Sequence, residues 1–121
     1  MDYRSPKRRR IAHQADLEAV FRQGRRLGDA RVTLIARPNG LDFSRTGVAV
    51  SANHGRAVRR NRIKRLCREA LRLARPELPV GWDFMVVPRR GGELTLAALR
   101  QSVVSLAGRL VARPPAEEQR P

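Results

Sequence analysis

Cysteine, histidine and acidic residues are all scarce in this sequence of 121 residues. Because Cys67 is the only cysteine, no disulfide can form within the chain, and with His13 and His54 it cannot supply the four ligands of a structural zinc site. The 11 acidic residues are scattered, and none repeats at metal-ligand spacing on one helix face. The sequence therefore predicts no catalytic residue and no metal site in the protein itself.

Aromatic residues and long apolar runs are equally rare. Only 4% of the residues are aromatic whereas 41% are hydrophobic, so the core is expected to be mainly aliphatic. No segment approaches the roughly 20 apolar residues that cross a bilayer, and no signal-peptide run follows the basic N-terminus. We expect a cytoplasmic protein with no membrane partner, with Cys67 as a buried thiol and both histidines on the surface.

Positive charge is what the sequence has in excess. Lys and Arg number 26, and the net charge of +15 predicts an anionic partner such as nucleic acid, an acidic protein or a membrane surface. The length suits one domain. Residues 1–12 are expected to form a mobile basic arm, residues 13–112 an RNA-binding domain, and residues 113–121, with three prolines, a disordered tail.

Periodicity predicts an α+β fold with the element order α-β-β-α-β-α and helices packed on a small sheet. The predicted elements are a helix (16–24), two strands (31–37 and 46–51), a helix (56–75), a strand (83–87) and a helix that follows an N-cap at Thr95. Because the first two strands are joined by a short turn at Pro38-Asn39-Gly40, we expect them to pair antiparallel.

The helix predicted over residues 56–75 is the most informative feature. Its apolar residues fall within one arc at about 100° per residue, and the opposite arc is almost entirely cationic. Glu69 is its only acid, so the cations repel one another unless a polyanion binds. A solvated face without a ligand would mix both signs of charge. The predicted RNA-binding residues are Arg56, Arg59, Arg60, Asn61, Arg62, Lys64, Arg65, Arg68 and Arg72.

Four segments of the chain resemble the protein subunit of bacterial ribonuclease P. The most specific is Arg60-Asn61-Arg62-Ile63-Lys64-Arg65-Leu66-Cys67-Arg68, which is similar to the signature of that family. Residues 46–51 resemble the strand before the signature, Phe21-Arg22-Gln23-Gly24 the end of the first helix, and residues 83–87 the last strand. The segments occur in the family's order and spacing, over roughly residues 11–110.

The resemblance implies a subunit of a ribonucleoprotein enzyme. Proteins of this family bind a large catalytic RNA and help it to remove the 5′ leader from precursor tRNA, while the RNA and its bound Mg²⁺ perform the hydrolysis. It also implies a left-handed βαβ crossover and a cleft between the sheet and the first helix that holds the leader. Oligomerisation of the protein is not expected. The matching cleft positions are Leu17, Phe21, Val32, Ile35, Val48 and Val50.

Two alternatives stay open at this point. Leu17 and Phe21 have the spacing of any helix that faces a core, so the fold alone could explain both residues. The same cations would also suit a structural ribosomal or nucleoid protein that has no role in cleavage.

Overall fold

A computed structural model describes residues 9–91 and 94–112. Its helices and strands are α1 (Gln14–Gln23), β1 (Arg25–Gly28), β2 (Val32–Pro38), β3 (Arg45–Val48), α2 (Ala57–Ala74), β4 (Trp82–Pro88) and α3 (Leu96–Ala112). The α+β class is confirmed, with one strand more than the sequence predicted. At the predicted N-cap of α3, the Thr95 hydroxyl oxygen accepts the Ala98 N–H at 3.2 Å.

The four strands form one mixed sheet in the order β1-β2-β4-β3. Strand β2 pairs antiparallel with β1 and β4, and β3 pairs parallel with β4. The predicted hairpin between β2 and β3 is therefore wrong. The reason is that β4, whose residues Asp83 to Val86 are all buried, takes the central position between them. The β3–α2–β4 crossover joins neighbouring parallel strands, as the resemblance implied, and its hand stays a prediction.

Strand alternation gives the sheet two different apolar faces. Val32, Leu34 and Ala36 belong to the larger core, which α2 and α3 cover. Ile35 points to the other side, where it packs with Val20 of α1. Helices α1 and α2 therefore lie on opposite faces of the sheet.

The N-terminal segment is attached to the outer edge of β3. Arg10 forms a parallel bridge with Thr46, and the Ile11 N–H donates to the Thr46 carbonyl oxygen at 3.0 Å. Ile11 itself is buried. The fold thus includes residues 10 and 11, which differs from the predicted boundary after residue 12. Residues 1–8 of the predicted arm and the predicted tail, 113–121, lie outside the described residues.

A buried ion pair links α1 to the sheet. Arg45 of β3 donates to both carboxylate oxygens of Asp83 at 2.8 and 2.6 Å, and it reaches Asp16 of α1 at 3.3 Å. Asp83 is fully buried and also accepts a hydrogen bond from the Asn39 side chain at 3.0 Å. The bidentate contact fixes the guanidinium plane, and through Asp16 it fixes where α1 lies.

Candidate nucleic-acid interface

Helix α2 presents its cations outward because its apolar arc is anchored on the other side. Ile63, Cys67, Ala70 and Ala74 are buried in the larger core, as predicted, and Leu66 packs half-buried at its edge. Burial raises the pKa of the Cys67 thiol to about 12, so the thiol is neutral and structural. The opposite side of α2 is then left to the solvent.

We call the nine predicted RNA-binding residues the basic face. Asn61, Lys64, Arg65, Arg68 and Arg72 lie on the side of α2 opposite the apolar arc, Arg62 flanks that arc, and Arg56, Arg59 and Arg60 lie at the N-terminal end of the helix. Six of them are exposed: Arg56, Arg59, Asn61, Arg62, Arg65 and Arg68. The other three are half-buried. The Arg60 Nε donates to the Gly55 carbonyl oxygen at 3.2 Å, and Arg72 pairs with Glu69. The Arg72 guanidinium lowers the pKa of Glu69, so this one acid of α2 stays ionised and offsets one cation.

The six predicted cleft residues do not lie on one side of the sheet. Leu17, Phe21 and Ile35 belong to the smaller core beneath α1. Val32 is fully buried in the larger core on the opposite side, and Val48 and Val50 pack against that same core. The separation follows from strand geometry, because Val32 and Ile35 are an odd number of residues apart on β2 and must point to opposite sides.

The residues that do accompany Leu17, Phe21 and Ile35 come from the centre and edge of the sheet. Met85 lies beneath them, and Ala49 and Val87 lie half-buried alongside. We call these six residues the α1 face. Side chains alternate between the two faces along β2, and residues paired across strands share a face. Ile35 pairs with Met85 and Thr33 pairs with Val87, so this alternation is the sequence signal that could have identified the residues of the α1 face.

Two arginines border the α1 face with positive charge. The Arg26 guanidinium lies 6.0 Å from the centre of the Phe21 ring, within the range of a cation–π contact. The Arg89 Nε donates to the Thr33 hydroxyl at 3.2 Å. An aromatic ring on an apolar floor with cations at its border is the arrangement that proteins use to hold single-stranded nucleic acid.

The described part of the chain contains no cluster of three or more residues that could hold a metal ion. His54 is buried, and its Nε2 lies 2.8 Å from the Pro88 carbonyl oxygen, so the prediction of a surface histidine is wrong there. The residue serves instead to join the segment before α2 to the end of β4. Among the described helices, none is long and apolar enough to span a membrane.

Comparison with known proteins identifies the family. The family profile described as Ribonuclease P matches residues 5–111. The ribonuclease P protein component of Erwinia tasmaniensis is 40% identical over 103 residues, which are 84% of this chain and 86% of that protein. That of Thermotoga maritima is 37% identical over 84 residues, which are 69% of this chain and 72% of that protein.

A solved structure gives the same result for the fold. The ribonuclease P protein from Thermotoga maritima superposes with a TM-score of 0.72 at 30% identity, covering 83% of this chain and 96% of that one. Nothing in these similarities favours the alternative of a ribosomal or nucleoid protein. The chain therefore belongs to the ribonuclease P protein family, whose members are the protein subunits of a ribonucleoprotein endoribonuclease.

Proposed function

We propose that the basic face binds the catalytic RNA of ribonuclease P, and that the α1 face holds the 5′ leader of precursor tRNA. The proposal that the basic face binds the catalytic RNA is supported by the run of exposed arginines on α2. Glu69 is the one acidic residue of that helix. Arginine grips phosphate bidentately, so each exposed guanidinium can neutralise one phosphate of a folded RNA.

The second half of the proposal rests on the chemistry of the α1 face. A single strand exposes its bases, and Phe21 offers a half-buried ring on which one base can stack. Arg26 and Arg89 at the border suit the phosphates on either side. Because the rest of the α1 face is aliphatic, it discriminates weakly among the four bases. A subunit that acts on many precursor tRNAs needs this tolerance, since their leaders differ in sequence.

The protein contributes position and charge, and the RNA with its bound Mg²⁺ contributes the hydrolysis. By neutralising phosphates where two RNA molecules meet, the cations of the protein reduce the concentration of Mg²⁺ that the complex needs. One copy of the protein in the cytoplasm, where precursor tRNA is made, is sufficient for this role.

A reconstitution assay tests the proposal. Cleavage of precursor tRNA by a bacterial ribonuclease P RNA is measured across a Mg²⁺ titration with and without the protein, and we expect cleavage at lower Mg²⁺ with it. An unchanged Mg²⁺ requirement would refute the proposal. The leader half is tested by the affinity of the complex for precursor against mature tRNA, with Phe21→Leu and Phe21→Tyr as matched variants. The leucine variant keeps the apolar volume but loses the ring, so it should lose preference for the precursor while the tyrosine variant keeps it.

A further inference from the structure

Arg89 is an exposed arginine whose side chain is held by two other strands. It directly follows β4, and its main-chain N–H continues the antiparallel ladder by donating to the Arg31 carbonyl oxygen at 2.8 Å. The side chain then crosses β2, where its Nε donates to the Thr33 hydroxyl at 3.2 Å, and its guanidinium group lies against Gly28 of β1. An exposed arginine ordinarily samples many rotamers, so holding this one at two points has an entropy cost that calls for a reason.

The contact at Gly28 depends on the absence of a side chain there. A Cβ added to Gly28 would lie 2.7 Å from Arg89 Nη2 and 3.3 Å from Arg89 Cζ, so the guanidinium group would have to move. Gly28 is not among the glycines with a positive φ, and its backbone conformation therefore suits other residues as well. What glycine supplies at this position is space for the guanidinium group of Arg89.

Strand pairing places this guanidinium group on the side of the sheet that carries the α1 face. Gly28 pairs with Thr33 and Thr33 pairs with Val87, which belongs to the α1 face, so the three residues form one row across the sheet. Arg26 lies two residues before Gly28 on β1, a distance of about 7 Å along the strand, and points to the same side. The guanidinium group of Arg89 therefore lies one row away from Arg26, at the border of the α1 face.

The terminal amino groups of Arg89 are available to a ligand. Of the three guanidinium nitrogens, Nε is the one that bonds to another residue in the described part of the chain. Nη1 and Nη2 remain, and such a pair of donors matches two oxygens of a phosphate. Because the side chain is ordered before the ligand arrives, binding is stronger by a factor of about two to ten than with a freely rotating arginine.

We propose that Gly28 and Thr33 are positioning residues, which hold the Arg89 guanidinium group where a backbone phosphate of the leader meets the border of the α1 face. The inference rests on the proposed function of the α1 face. Each positioning residue acts through Arg89, so the affinity for precursor tRNA depends on a hydroxyl group and on a glycine that need not touch RNA.

The first test measures the affinity of the full chain, assembled with a bacterial ribonuclease P RNA, for precursor and for mature tRNA. Thr33→Val keeps a β-branched side chain of similar shape but removes the hydroxyl group, whereas Thr33→Ser keeps an acceptor. We expect the valine variant to bind the precursor about twofold to tenfold more weakly and the serine variant to bind it as the unmodified protein does. Affinity for mature tRNA should not change. Equal precursor affinity of the valine variant and the unmodified protein would overturn the inference.

Gly28→Ala fills the space that the guanidinium group occupies, and Gly108→Ala is its matched control. Gly108 is exposed on α3, where an added Cβ would meet no other part of the fold. Gly28→Ala should weaken precursor binding by a similar factor with little change in stability, because the displaced group is the end of a flexible side chain. The control should leave the affinity for precursor tRNA unchanged.

A double-mutant cycle with Arg89→Gln separates positioning from a merely structural effect. Arg89→Gln alone should weaken precursor binding at least as much as Thr33→Val does. Because glutamine lacks the guanidinium group, adding Thr33→Val or Gly28→Ala to this variant should cause no further loss. Additive losses would show that Thr33 and Gly28 act independently of Arg89, and an Arg89→Gln variant with full precursor affinity would remove the group on which they are proposed to act.

Nuclear magnetic resonance of the free protein tests the hold on Arg89 without RNA. The heteronuclear NOE of the Arg89 Nε–H group should be close to that of the backbone in the unmodified protein and in Thr33→Ser, and it should fall in Thr33→Val and Gly28→Ala. A mobile Nε–H group in the unmodified protein would refute the inference whatever the tRNA affinities are. If Arg89 is held but the unmodified protein does not prefer the precursor, the proposed function of the α1 face is what fails.

Discussion

Replacing Arg65 by alanine should remove one phosphate contact from the basic face, and the salt dependence of RNA binding measures that loss. Arg65 is exposed on the outward side of α2. Each phosphate that a protein neutralises contributes about 0.7 to 0.9 to the slope of log K against log salt. The magnitude of the slope should therefore fall by that amount in the variant.

The size of the effect is measurable by an ordinary titration. From 50 to 200 mM salt, a slope difference of about 0.7 to 0.9 corresponds to a factor of about three in affinity. The unmodified protein should thus lose about threefold more affinity than Arg65→Ala over this range, in filter-binding or fluorescence titrations with the catalytic RNA. The variant should already bind more weakly at the lowest salt.

Two further variants separate a local contact from an effect of net charge. Arg100→Ala loses the same charge from α3, where the side chain is 47% exposed and pairs with Glu77. We expect it to keep the full slope. Arg65→Lys should also restore the slope, but with lower affinity, because lysine keeps the charge and loses the planar fork. A slope for Arg65→Ala equal to that of the unmodified protein would show that this side of α2 does not contact RNA.

Three other predictions concern the fold beneath these surfaces. Cys67, whose pKa burial raises to about 12, should react with a thiol reagent at pH 8 at least about a hundredfold more slowly in the folded protein than in denaturant, and rapid labelling would contradict its burial. Asp83→Asn should lower the free energy of unfolding by about 3 kcal/mol in urea denaturation, because Arg45 loses its buried carboxylate, and a change below about 1 kcal/mol would contradict this. Gly24→Ala should lower the free energy of unfolding by about 2 kcal/mol, since a Cβ there would lie 2.4 Å from the Val20 carbonyl oxygen and 2.5 Å from Ile35 Cγ2. The variant should also bind precursor tRNA with less preference over mature tRNA. An unchanged free energy of unfolding would refute the close approach at Gly24.

Helix α2 was the most predictable part of the molecule because its information is local. Ile63, Cys67 and Ala70 recur with the helical period of 3.6 residues, which identifies the side of the helix that is buried. The charged residues on the remaining arc identify the side that faces solvent. The amphipathic pattern of α3 and its Thr95 cap were predictable for the same reason. In both helices, the amphipathic pattern that determines which side is buried is contained in a single segment of about 20 residues.

The sheet could not be predicted to the same degree, because strand neighbours are chosen by non-local competition. Val48 and Leu34 are close in sequence, yet β4 separates their strands, since its apolar residues gain most from burial on both sides. Strand β1 has one large apolar residue, Leu27, and gives little signal. Only the turn after β1 has a recognisable sequence pattern, an aspartate that caps its own turn. The Asp29 carboxylate accepts the Arg31 and Val32 N–H groups at 2.8 and 2.9 Å.

The same strand order explains how one small domain can present the two surfaces proposed to bind RNA on different sides of the molecule. Because β4 is central, β3 lies at the edge of the sheet, and α1 and α2 on opposite faces come within reach of one strand only around that edge. Gly47 lies on the α1 side of β3, where an added Cβ would be 2.8 Å from Met85 Cε. Because Met85 packs this closely against the Gly47 backbone, a side chain at residue 47 would have to displace the floor of the α1 face. Glycine at this position therefore lets the edge strand and the α1 face pack together.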